Sequence, residues 1–289
     1  MARILDGKEV AASINEDLHR RSDGLRQAGI FPTLAILRVG DRSDDVAYET
    51  NAKKRAERCG VEVQSNVLPA DCTQEQLEHR LAELNGDETI HGILILSPLP
   101  RHLDLRALTA KLDPAKDVDG ITARSIARAL VIPDGGYPPC TAQACMEILD
   151  HYGIDPDGKN VTVIGRSPVV GRPVAVLLID RSATVTICHT HTVDMPTITK
   201  RADILLVAAG KAGMVGAEYV SPGQVVIDVG ISWDEEAKRL RGDVRFDEVE
   251  PIVDMITPVP GGVGSVTTSV LMSHVIEAAE KILARGSNG

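Results

Sequence analysis

A chain of 289 residues is long enough for two domains, and 43% hydrophobic content with 2% aromatics describes a full core of Val, Ile, Leu and Ala. A formal charge of −10 and a pI near 5.3 argue against nucleic acid as the main partner. No apolar run reaches membrane-spanning length, no secretory h-region precedes the first helical pattern, and five scattered cysteines, at 59, 72, 140, 145 and 188, read as free thiols of a reducing cytosol; a cytoplasmic location is expected.

In chain order, Glu9–Ala28 reads as an amphipathic helix and Thr33–Val39 (TLAILRV) as a strand ending at Gly40. Val46–Cys59 is helical and closed by Gly60. Val61–Leu68 is a strand, and Thr73–Asn85 a helix with Thr73 as N-cap. Gly92–Leu96 is an apolar strand. Val131–Cys140, rich in proline and glycine, is the candidate domain boundary, and Thr141–Tyr152 a helix between domains. Strands follow at Val161–Ile164, Ala183–Cys188, Ile204–Ala208 and Val225–Val229. Thr267–Ala284 is the last helix, able to pack back on the first domain, and the tail RGSNG reads as frayed. Alternation of strand and helix implies parallel sheets with right-handed crossovers.

The segment VTVIGRSPVVGRP, Val161–Pro173, carries the most chemistry. A β-branched apolar run passes into a glycine turn and then a helix start, the phosphate-binding corner of a doubly wound domain. Gly165 and Gly171 are separated by five residues, so this is not G-x-G-x-x-G; read alone, it could be a turn without a ligand. Arg166 and Ser167 add a guanidinium fork and a hydroxyl suited to phosphate. The next strand ends Cys188-His189-Thr190-His191-Thr192 without the carboxylate that holds an NAD ribose. Arg166, Thr190 and His191 could instead surround a 2′-phosphate, which favours NADP, with NAD still open. Two histidines at i, i+2 without a third ligand do not make a metal site.

With these pieces in order, the chain resembles the methylenetetrahydrofolate dehydrogenase/cyclohydrolase family. The resemblance rests on GDRSDDVAYETNAKKRAERCG, GILILSPLP, KDVDG, PPCT, VIGRSPVVGRP, VVIDVGI and TPVPGGVG, and covers nearly the whole length. It implies an α/β fold of two domains: a parallel-sheet folate domain over 1–139, with helix 267–289 packing back on it, and a Rossmann-like NAD(P)-binding domain over 140–266. A cleft between them and a homodimer are also implied. The implied chemistry is oxidation of 5,10-methylene-tetrahydrofolate with hydride transfer to NADP, in one-carbon metabolism. By motif, Asp119 would hydrogen-bond the pterin and Tyr48 stack on it; Gly165, Arg166, Ser167, Thr190, His191 and Ile231 would meet the dinucleotide; and Pro260, Gly261 and Gly262 would form a loop beside the site. Read without the resemblance, Asp117 and Asp119 could cap a turn, Tyr48 could be a half-buried helix-face residue, and Pro-Gly-Gly could be a bare turn.

The chain departs from the family where hydrolysis is concerned. Bifunctional members place a catalytic lysine four residues after the tyrosine, and that position is Ala52. Lys54 lies about 200° around the helix from it and Lys53 about 100°. The family strand GILVQLPLP here reads GILILSPLP, with Leu96 in place of glutamine. Ser265 stands where the family has proline. The expectation is a dehydrogenase with weak or absent cyclohydrolase activity; the alternative is a bifunctional enzyme using Lys53 or Lys54 with Tyr48 and Asp119. A ligand-binding sensor without turnover and a small hydroxy-acid dehydrogenase are the readings from other classes.

Overall fold

The computed structural model describes residues 1–131, 136–235 and 238–286. The strands are β1 (Arg3–Ile4), β2 (Thr33–Val39), β3 (Glu62–Leu68), β4 (Gly92–Ile95), β5 (Asn160–Ile164), β6 (Thr184–Cys188), β7 (Ile204–Val207), β8 (Val225–Asp228), β9 (Ser232–Asp234), β10 (Arg239–Arg241) and β11 (Met255–Ile256). The chain divides into two compact units. One comprises Ser13–Cys140 with Thr268–Gly289; the other comprises Met1–Ala12 with Thr141–Thr267.

The first unit is built on a three-stranded parallel sheet of order β3-β2-β4. Central β2 is apolar on both faces, as a strand covered on both sides requires. Ala35, Leu37, Ile93 and Ile95 meet Leu77, Leu81 and Leu84 of the helix Gln74–Gly86 in one core. That helix starts as its sequence predicts: Thr73 and Gln76 form a reciprocal capping box. Its far end is closed from a distance, because the Lys116 ammonium donates to the carbonyls of Leu84, Asn85 and Asp87.

The second unit is a six-stranded, all-parallel sheet of order β1-β11-β8-β7-β5-β6. From β5 the chain goes outward to β6, then crosses back to β7 on β5's other side. The carboxyl ends of β5 and β7 therefore flank the switch point at which such sheets bind ligands. Val207, Val226, Ile256 and Leu205 are fully buried in its core.

The first twelve residues belong with the six-stranded unit, not with the 1–139 segment in which the sequence reading put them. β1 pairs with β11, and Leu5 donates its amide to Ile256. A two-residue strand has no periodicity to betray it. The last helix begins at Val263, four residues earlier than expected, and from Thr268 onward it belongs with the three-stranded unit. Several short elements escape the sequence reading, among them the helix Ala123–Val131 and the antiparallel pair β9 and β10. The expected boundary at 131–140 lies partly outside the described residues, as does the end of the tail.

Candidate functional site

In the three-stranded unit the site grows from the helix Ser43–Cys59. Asp45, Glu49, Ala52, Ala56 and Cys59 form its buried stripe at helical spacing, and Gly60 ends it at a left-handed φ of 73°. Tyr48 lies at the edge of that stripe and is 40% exposed. Its hydroxyl end is desolvated, hydrogen-bonds Thr268 and sits near Asp119 and Cys140, and burial followed by the Asp119 charge raises its pKa. Ala52, one turn on from Tyr48, is 1% exposed, and Leu96 after β4 is 8% exposed.

Neither lysine lies in the buried stripe that holds position 52. Lys53 pairs with Glu49 at 2.8 Å, and Glu49 is also held by Arg38 of β2 at 2.8 Å and by Ser65 of β3 at 2.5 Å. Burial opposes ionisation of Glu49, but Lys53, Ser65 and Arg38 together outweigh it and lower its pKa to about 2. Lys53 is thus drawn to the sheet side of the helix. Lys54 is exposed.

The two aspartates of KDVDG divide their work. Asp117 is fully buried and accepts from the amides of Ile121 and Thr122, a turn-capping role. Asp119, two residues on, has a raised pKa. Burial raises it to about 6, partly offset by a hydrogen bond from Cys140 and reinforced by Asp117. Gly120 follows at φ 68°, and a side chain there would collide with the Tyr137 carbonyl at 2.6 Å. Sequence reasoning missed the backing of this turn. His274 of the last helix lies 2.8 Å from the Val118 carbonyl, which also accepts from the Cys140 thiol at 3.3 Å. A lone histidine in a C-terminal helix carries no signal for that role.

In the six-stranded unit, the two widely spaced glycines have separate reasons. Gly165 takes φ 120°, and a Cβ there would lie 2.2 Å from the Ala208 carbonyl at the end of β7. A Cβ on Gly171 would lie 2.3 Å from the Gly165 carbonyl. Both are close backbone approaches that set the helix Gly171–Asp180 tight against the turn; its first amides are taken there, Gly171 donating to the Ser167 hydroxyl and Arg172 to the Ser167 carbonyl, and Pro173 has none. Ser167 is partly committed. Its hydroxyl oxygen accepts from Val170 at 3.1 Å and Gly171 at 3.3 Å, which leaves its proton to donate.

Arg166 and His191 are exposed and both act on His189, whose pKa is lowered by desolvation, then by Arg166 and His191. The rings of His189 and His191 are 6.0 Å apart, and the His191 amide donates to His189 Nδ1. The ends of β5 and β6 thus bring Arg166, His189 and His191 together, with Thr190 exposed between the histidines. His189 is the member the sequence reading did not single out. No metal-holding group of three or more His, Cys, Asp or Glu occurs among the described residues. Ile231, just after β8, is 58% exposed. Pro260 is exposed, and Gly261 and Gly262 are pinned to the chain start: Gly7 donates its amide to Gly261 at 2.8 Å, and a side chain on Gly7 would strike the Gly262 carbonyl.

These residues fit a dinucleotide: a glycine cradle closed to any Cβ, a serine hydroxyl with a proton to donate, and a guanidinium at its rim. Comparison with known proteins agrees. Residues 5–119 match the model of the tetrahydrofolate dehydrogenase/cyclohydrolase catalytic domain, and residues 139–283 match that of its NAD(P)-binding domain. The chain belongs to the tetrahydrofolate dehydrogenase/cyclohydrolase family.

Within that family it is 49% identical over 281 residues to the bifunctional protein FolD of Carboxydothermus hydrogenoformans, covering 97% of this chain and 98% of that one. Among solved structures it is similar to the bifunctional FolD of Campylobacter jejuni, with TM-score 0.94 and 36% identity over 97% of this chain and 99% of that one. It is also similar to the Trypanosoma brucei dehydrogenase-cyclohydrolase solved with NADP and an inhibitor, with TM-score 0.90 and 37% identity over 98% of each. The two-domain α/β fold, with a catalytic and an NAD(P)-binding domain, is therefore that of the family. The expectation of weak hydrolysis stands against relatives that are named for both activities.

Proposed function

We propose that this chain oxidises 5,10-methylene-tetrahydrofolate to the 5,10-methenyl form with NADP and, like the relatives named bifunctional, hydrolyses the methenyl product to 10-formyl-tetrahydrofolate. The observation that carries the first step is the Gly165–Gly171 cradle with Arg166 and the two histidines at its rim. NADP, when bound, supplies the hydride acceptor. Ser167 would donate its proton to a phosphate at the glycine turn; Arg166, with Thr190 and His191, would hold the 2′-phosphate; and Ile231 would cover an apolar face. On the folate side Tyr48 offers its exposed ring face, and Asp119, poised near pKa 6, exchanges a hydrogen bond with the pterin. Pro260, Gly261 and Gly262 would line the approach. Oxidation leaves a resonance-stabilised cation and needs no protein base, so orientation can carry it.

The hydrolytic step must activate water, a task worth roughly 100- to 10,000-fold when an acid–base group does it. The names of the relatives support it here, with Lys53 or Lys54 as the amine. A second reading, oxidation with weak or absent hydrolysis, is favoured by one specific observation. Position 52 is a buried alanine, Leu96 is buried, and Lys53 is tied to Glu49. Following NADPH and methenyl-tetrahydrofolate together, against an enzyme-free control, separates the two. Clearance of methenyl faster than the control supports hydrolysis, and clearance at the control rate supports oxidation alone. A cytoplasmic homodimer is part of the same proposal, and light scattering of the pure protein tests the dimer.

A further inference from the structure

At the carboxyl edge of the six-stranded sheet, two buried carboxyl groups hold three chain segments. Asp228, at the end of β8, is 3% exposed, and Asp243, after β10, is 0% exposed. Asp228 Oδ1 accepts from the amides of Gly230 at 3.0 Å and Asp243 at 3.1 Å, and its Oδ2 accepts from Val244 at 2.9 Å. Asp243 Oδ2 accepts from Gly210, in the loop after β7, at 2.7 Å. Its Oδ1 is buried with no hydrogen-bond partner among the described residues. The groups pack tightly: a Cβ on Gly230 would lie 2.1 Å from the Asp243 carboxyl carbon, and one on Gly242 would lie 1.9 Å from Asp228 Oδ2.

The held segments matter for position. Gly210 follows Ala208, whose carbonyl packs on Gly165, and Gly230 precedes Ile231. Nothing in the phosphate-binding chemistry of Arg166 or the glycine cradle calls for an acid pair here. We infer that Asp228 and Asp243 are positioning residues for the dinucleotide: together they lock the loops after β7 and β8 at the spacing that NADP binding requires. The inference rests on the proposal that this edge binds NADP.

A lock made of two carboxyls is sensitive to charge. Burial, then Asp243, raises Asp228 to about 7, against three backbone donors that favour its anion. The other charged groups lining the cavity of about 310 Å³ at Asp228 are Arg239, Arg241, Arg245, Asp247 and Glu248. Of the cations, Arg241 is paired with Asp234 at 3.3 Å, and Arg245 with Glu218 at 2.5 Å and Glu248 at 3.2 Å. Below about pH 7 a proton on Asp228 relieves its repulsion from the neighbouring Asp243 carboxyl; above it the Asp228 charge pushes the loops apart. A dinucleotide laid over the edge excludes more water and favours the protonated pair, so binding weakens as pH rises.

The test is NADP binding to the full chain by calorimetry at about pH 6 and about pH 8, for wild type and Asp243→Asn. The amide keeps an acceptor for Gly210 and removes the like charge. Wild-type affinity is expected to fall at least about threefold more than that of the variant across this window; the comparison cancels whatever else titrates in the ligand and at its rim. Asp228→Asn, which turns an amide donor on backbone donors, is expected to raise the NADP KM about tenfold or more with kcat changed less than about twofold, in protein that still melts cooperatively. Equal pH responses in wild type and Asp243→Asn, or a folded Asp228→Asn with wild-type NADP KM, overturn the inference while leaving the proposed function intact. A wild type that binds no NADP at either pH overturns both.

Discussion

At the scale of single residues, what surrounds a group decides its role more than its type does. Glu49 is an acid held ionised by Arg38, Lys53 and Ser65, whereas Asp119 is an acid held near pKa 6 by burial. The folded-state pKa of Glu49, about 2, lies below its ordinary 4.5, so its contribution to stability is present above the ordinary value and lost as pH falls through the folded one. Glu49→Gln is expected to cost about 3 kcal/mol at neutral pH and to flatten the acid limb of a Tm-against-pH curve; an unchanged acid limb would show that the network contributes nothing. Asp119 has the opposite sign. Its folded pKa is raised, so its contribution is present below pH 3.8 and lost as pH rises through about 6. Asp119→Asn is expected to be more stable than wild type above that range, by about 2 kcal/mol, and to lose about 100-fold in dehydrogenase activity, as measured by melting and NADPH formation. Arg166→Ala is expected to raise the NADP KM about 10- to 100-fold and leave that for NAD nearly unchanged, the loss of a charge-assisted hydrogen bond to the 2′-phosphate. Equal losses for the two cofactors would remove Arg166 from that role. Motif order in the sequence pointed to Tyr48, Asp119 and Arg166. The sequence did not point to His274 or the Asp228–Asp243 pair, because their partners lie 156 and 15 residues away, where no local pattern records them.

At the scale of elements, the strand–turn–helix Asn160–Asp180 and the helix Ser43–Cys59 carry the account. The first was legible because an apolar β-branched run followed by glycine has few other uses. Why five residues separate its glycines was not legible, since the reason lies just past β7, where the Ala208 carbonyl leaves no room for a side chain at Gly165. Gly171→Ala is expected to weaken NADP binding by at least about tenfold and to lower Tm, because its methyl group has only backbone to displace; calorimetry and melting measure both. On the helix Ser43–Cys59, Ala52 and Leu96 are the test of the hydrolytic site. Ala52→Lys with Leu96→Gln is expected to raise cyclohydrolase activity about 100-fold or more if the site assignment holds. A folded double variant with no gain in methenyl clearance counts against it. β1 and β11 show the opposite limit of sequence reading. They are two residues each, too short for any period, and only their pairing assigns the first twelve residues to the six-stranded unit.

At the scale of the whole molecule, composition and alternating strands and helices predict two parallel-sheet units, and the family's two domain models fall on the chain in the same order. The sheet order β6-β5-β7 places the switch point beside the one motif that the sequence singled out, so fold and site support each other. The central claim is that this molecule passes hydride from 5,10-methylene-tetrahydrofolate to NADP. The measurement that tests it most directly mixes the pure protein with both and follows NADPH and methenyl-tetrahydrofolate together. NADPH formation that depends on enzyme and folate is the predicted result. No NADPH above the enzyme-free rate, from folded protein that binds both ligands, would contradict the claim and leave a binding protein in its place.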